Sequence, residues 1–107
     1  MKKVIDGRRY DTDKAERICG YAFSNRNDFN FIEEDLFRSP KGQLFIAGTG
    51  GPMSKYRKNV GNGHVSGGSD IRLVTESEAK EWIEIHQDRI EKEADEVIEK
   101  LFGIEEG

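Results

Sequence analysis

Residues 29–48 read FNFIEEDLFRSPKGQLFIAG, and this stretch decides whether the chain is organised around a sheet or around helices. Its two apolar arms flank Ser39, Pro40, Lys41 and Gly42, with proline and glycine where a type I turn followed by a left-handed residue requires them. A hairpin is therefore predicted. In the second arm Leu44, Phe45, Ile46 and Ala47 are continuously apolar, the pattern of a central strand covered on both faces.

Toward the N-terminus, KKVIDGRRYDT (residues 2–12) sets Asp6-Gly7 between short β-compatible runs, the signal of a tight hairpin whose turn needs positive φ. Thr12 or Asp13 can then cap a helix running to residue 23, with Glu16 as capping-box partner of Asp13. Ala15, Ile18, Cys19 and Ala22 recur at helical spacing on one side of it. SNRND (residues 24–28) ends this predicted N-terminal helix.

Beyond the apolar arm, seven of the twelve glycines fall between residues 48 and 68, so this segment reads as loop with one short helical turn over residues 52–58. So long a loop in a small domain points to binding. DIRLVT (residues 70–75) reads as a further strand. Thr75, Glu76, Ser77 and Glu78 form a capping box for a helix carrying Ala79, Trp82, Ile83 and His86 on one face. A last amphipathic helix is expected from about residue 88 to 102, its apolar positions being Ile90, Ala94, Val97, Ile98, Leu101 and Phe102, and Gly103 is its stop. The fold class expected is α+β in a single domain of 107 residues: a mainly antiparallel sheet of about three to five short strands, an N-terminal helix and two C-terminal amphipathic helices.

The net charge of -4 is unevenly distributed. Residues 1–60 hold twelve Lys and Arg against eight Asp and Glu, and residues 61–107 five against thirteen. This asymmetry points to an interaction face. The N-terminus has no apolar segment behind its basic residues, and no run of about eighteen apolar residues occurs, so neither secretion nor membrane insertion is expected. The one cysteine, Cys19, is expected to be a buried thiol in a cytoplasmic protein.

GTGGPMSKY (residues 48–56) departs from both standard phosphate loops. Ser54-Lys55 reverses the Lys-Ser/Thr order of a P-loop, and Met53 stands where the dinucleotide fingerprint has its third glycine. What remains is an anion-attracting group of amides near Gly50 and Gly51, with Lys55, Arg57 and Lys58 close by. GHVSGG (residues 63–68) misses the nucleophile elbow by having His64 two places before Ser66. His64, His86 and Cys19 lack metal-ligand spacing, and no cofactor is expected. Gly50, Gly51, Ser54, Lys55, Tyr56, Arg57 and Lys58 are the candidate partner-binding residues, together with Glu91, Asp95 and Glu99. These three carboxylates form an acidic helix face whose charges can mimic phosphates in a basic groove.

The motifs GRRYDTDxA, EDLFR, GxGGPMSKY, SGG and TESEAKEW, spread over about residues 4–82, resemble a family of small, largely uncharacterised proteins of Gram-positive bacterial phages and integrative elements. The resemblance implies a non-enzymatic cytosolic interaction protein of a mobile element, an inhibitor of the anti-CRISPR kind whose partner is a host defence nuclease complex. The alternative is a small regulatory nucleic-acid- or anion-binding module using the basic N-terminal half. A pI near 5.2 and the lack of a markedly basic helix weigh against direct nucleic-acid binding through a known motif.

Overall fold

The computed structural model describes residues 1–90, 94–103, 106 and 107. Its framework is an antiparallel sheet of β3 (Glu16–Phe23), β4 (Ile32–Arg38), β5 (Leu44–Gly50) and β8 (Gly68–Leu73), in that spatial order. Two further hairpins form separate two-stranded sheets: β1 (Lys2–Ile5) with β2 (Arg8–Asp11), and β6 (Lys58–Gly61) with β7 (His64–Ser66). The helices α1 (Glu76–Ile85) and α2 (Ala94–Leu101) complete the chain.

The hairpin of residues 29–48 forms as its sequence requires. The Ser39 amide donates to Gln43 O and the Gly42 amide to Ser39 O, both at 2.9 Å, while Gly42 takes the left-handed φ of 91°. Asp6 and Gly7, at φ 51° and 78°, turn the N-terminal hairpin in the same economical way. The continuous apolar run on β5 is explained by its two faces. Leu44 and Ile46 join Ile18, Cys19, Leu36 and Val74 beneath Trp82 and Ile83 of α1 and Val97 of α2. Phe45 and Ala47 face the other way with Phe37 and Ile71, under Tyr10 of β2. Phe45 stacks on Phe37 at 5.4 Å and meets the Tyr10 ring edge-on at 5.6 Å.

The predicted N-terminal helix is not formed. Residues 16–23 are β3, paired with β4 over its whole length. The misleading feature is a bulge: the register shifts between Arg17 and Cys19, so Ile18 and Cys19 both enter the cluster under the helices. Two consecutive inward residues break the period of two and imitate one side of a helix. Ala15, assigned to the same helical face, instead packs with the opposite cluster, and Ala22 is exposed. The expected caps serve elsewhere: Thr12 hydrogen-bonds Met1, and the Asp13 amide donates to Asp11 Oδ1 at 2.9 Å in a side-chain turn.

Two further expectations are corrected. Residues 52–56 form consecutive turns rather than a helix, Lys58 already opens β6, and the supposed loop between residues 48 and 68 contains the end of β5, the whole β6–β7 hairpin and the start of β8. In the C-terminal part, Thr75 and Glu78 make the expected capping box, with amide bonds of 3.1 and 2.9 Å. Residues 86–89 are turn, so α2 begins later than the periodicity indicates. Gly103, at φ 84°, closes α2 by donating to Ile98 O at 3.0 Å. Among the described residues no helix is long and apolar enough to cross a membrane.

Candidate functional site

The site is built on Glu34, in the middle of β4. Strand alternation puts it on the same side as Ile32 and Leu36, the side that packs beneath the helices. Its neighbours in register are Tyr21 on β3 and Gly48 on β5. The Glu34 side chain is completely buried and ringed by donors. Tyr21 Oη donates to Oε1 at 2.5 Å and Trp82 Nε1 to the same oxygen at 3.1 Å. Tyr56 Oη donates to Oε2, where Lys55 Nζ also lies at 3.0 Å and an Arg72 guanidinium nitrogen at 4.0 Å. Burial alone pushes the carboxyl pKa up, but the hydrogen bonds from Tyr21, Tyr56, Lys55 and Trp82 prevail and hold it at about 2. Burial, with the neighbouring carboxylate, pushes both tyrosine hydroxyls well above their ordinary value, so they remain donors.

The glycines of residues 48–51 make this network possible. A Cβ on Gly48 would lie 1.8 Å from Tyr56 Oη, and one on Gly50 would lie 2.2 Å from Ser54 Oγ. Their absence lets the segment after β5 fold back onto the sheet. The Gly51 amide donates to Phe31 O and the Met53 amide to Phe29 O, at 2.9 and 2.8 Å. Ser54, buried, ties the turn internally through its hydroxyl to Gly51 O at 2.7 Å, and its oxygen accepts from the Tyr56 amide at 3.2 Å. Gly50 and Ser54, both buried, and Gly51, half-buried, thus shape the turn; the Gly51 amide expected to attract an anion already donates to Phe31 O.

Lys55, Tyr56, Arg57 and Lys58 do come together, and the tertiary fold adds Arg72 from β8. With Ser69 and Asp70 they line an open cleft of about 410 Å³. Lys55 and Arg72 reach inward to Glu34 yet keep about half of their side chains exposed, at 52% and 47%. Asp70, the carboxylate on the wall, is engaged by Lys3 Nζ at 2.6 Å, which lowers its pKa. No Asp or Glu occurs between Asp35 and Asp70, although the interval carries Arg38, Lys41, Lys55, Arg57 and Lys58. The cleft is locally cationic in an acidic protein.

The β6–β7 hairpin continues from the cleft through Lys58, which lines it and opens β6. Gly61, Asn62 and Gly63 all have positive φ, at 91°, 52° and 74°, and Gly61 pairs with His64 across the two-residue Asn62-Gly63 turn. That dipeptide was legible in the sequence and marks the hairpin within the apparent loop. Glu34 also left a signal, since alternation from Ile32 and Leu36 points it inward. Arg72 left none, because its approach depends on the pairing of β8 with β5.

Of the acidic candidates, Asp95 and Glu99 are exposed on α2 and do not line the cleft, and Glu91 lies outside the described residues. His86 stacks on Tyr21 at 4.1 Å and its Nδ1 lies 2.8 Å from Trp82 O, a structural position at the end of α1. Ser66 Oγ donates to Gly67 O at 3.1 Å. Among the described residues no three His, Cys, Asp or Glu side chains gather as a metal site. Comparison of the chain with protein-family models, characterised proteins and solved structures yields no match.

Proposed function

We propose that the protein is a binding module whose cationic cleft takes the phosphate backbone of a nucleic acid. The observation that carries this reading is the convergence of Lys55, Arg57, Lys58 and Arg72, from two separate segments, on one open cleft. Asp70, the one carboxylate on its wall among the described residues, is engaged by Lys3. Glu34 supplies the anchoring: it orients Lys55 and Tyr56 from below while their outer surfaces stay accessible. Backbone contacts of this kind give affinity without sequence readout and weaken with added salt. Fluorescence anisotropy with labelled oligonucleotides over a range of salt concentrations tests the reading. Binding that weakens as salt rises, and that falls in Arg57→Ala/Lys58→Ala, is expected. No binding at low salt, or binding indifferent to the double substitution, would overturn it.

A second reading is favoured by the exposed Asp95, Glu96 and Glu99 on α2 together with the family resemblance: an inhibitor that occupies the nucleic-acid groove of a host defence nuclease. Asp95→Lys/Glu99→Lys is then expected to lose inhibition of cleavage by a guide-loaded nuclease. Equal inhibition by that variant would defeat the mimic.

A further inference from the structure

Like β1–β2, the β6–β7 hairpin is a two-stranded ribbon that pairs with no other described strand, but unlike β2, whose Tyr10 is buried on the sheet, it sends no residue into either core cluster. Every residue from Lys58 to Val65 is exposed, including Val60 at 62% and Val65 at 42%. Isolated two-stranded ribbons are marginal in water, and this one leaves Val60 and Val65 largely in solvent. The ribbon grows directly from the cationic cleft: Lys58 opens β6, and Ser69 and Asp70 follow β7 after two glycines. No carboxylate lies anywhere along it.

We infer that this hairpin is an arm that enters the major groove of double-stranded DNA, with the cleft at its root seated on the flanking phosphates. The inference rests on the nucleic-acid reading of the cleft and names the form of nucleic acid. Strands about 4.8 Å apart, with side chains on both faces, make a ribbon that a groove about 12 Å wide admits as it stands, whereas one of about 6 Å would have to be widened to take it. The four residues of β6 span about 13 Å at about 3.3 Å each, enough to reach the floor of a groove about 8.5 Å deep. The major groove of an RNA duplex is too narrow for it. The chemistry also fits. Asn59, Asn62 and His64 offer donors and acceptors for base edges, and Val60 and Val65 suit thymine methyl groups.

The test compares a 20-base-pair DNA duplex, its single strand and the matching RNA duplex by anisotropy, using the wild type and Asn59→Ala/His64→Ala/Val65→Ala. Those three side chains are exposed, so an unchanged thermal melt is expected to accompany the variant. The wild type is expected to prefer the DNA duplex, and the variant to lose about tenfold on that duplex alone, because only base-edge contacts are removed. Protection of guanine N7 from dimethyl sulfate, with no competition from a minor-groove ligand, is expected for the wild type. Equal loss on single strands, unchanged duplex affinity, or displacement by the minor-groove ligand would overturn the arm while leaving the cleft intact. Absence of binding to all three nucleic acids would remove the cleft reading and the arm together.

Discussion

Glu34 concentrates the energetics of the site in one side chain. A buried carboxylate is tolerated only when its lone pairs are filled, and here two phenols, an indole and an ammonium fill them. Because its folded pKa is about 2, below the ordinary 4.5, the unfolded chain binds the extra proton as pH falls. The resulting stabilisation is fully present above about pH 5 and disappears as pH drops toward 2; a shift of this size corresponds to on the order of 3 kcal/mol. Thermal melts of the wild type are therefore expected to fall steeply through that window, and those of Glu34→Gln to start lower and stay flatter. Identical pH profiles would remove the carboxylate from this role. Tyr56→Phe deletes one charge-assisted hydrogen bond and is expected to cost about 2 kcal/mol in denaturant unfolding. On the alkaline side the sign reverses: the raised tyrosine pKa values keep both phenols protonated in the folded protein, so stability declines once pH exceeds the ordinary 10.0 at which the unfolded chain ionises.

At the scale of elements, the turn after β5 and the cap of α1 make separable predictions. Gly48→Ala drives a methyl group into the space of the Tyr56 ring, and the ring must leave Glu34. A loss of about 3 kcal/mol is expected, the upper range for overpacking, accompanied by weaker anion binding because Lys55 and Tyr56 move together. Thr75→Ala removes one partner of the capping box and is expected to cost about 1 kcal/mol with binding unchanged. Calorimetry and anisotropy on the same two variants separate the effects. The elements also differ in how plainly they were written. Asp6-Gly7, the turn at residues 39–42 and the capping box at Thr75 are local devices, so their residues suffice to identify them. β3 imitates a helix because a bulge at Ile18 replaces alternation with two adjacent buried residues, which short-range periodicity cannot tell from a helical face.

For the whole molecule, charge segregation is the property that reaches furthest. An excess of carboxylates toward the C-terminus keeps the net charge at -4, while the ribbon and the cleft residues Lys55 to Lys58 lie in a segment with none, between Asp35 and Asp70. Four cations on phosphates would give a log-log salt slope of about -3 to -4 on duplex DNA, and Arg57→Ala/Lys58→Ala is expected to reduce its magnitude by about 2. A slope unaffected by the double substitution would place the contacts elsewhere. The amino-acid sequence by itself determined the two clearest turns, the central apolar strand, the amphipathic C-terminal helices and the cluster of Lys55, Arg57 and Lys58, because each depends on neighbours within a few residues. Only the tertiary structure decided that residues 16–23 are a strand, that Glu34 anchors the site and that Arg72 joins it. Those outcomes depend on register between strands distant in the chain, and a buried carboxylate is stable only once donors from β3, α1 and the turn after β5, and the Arg72 charge from β8, have been brought to it.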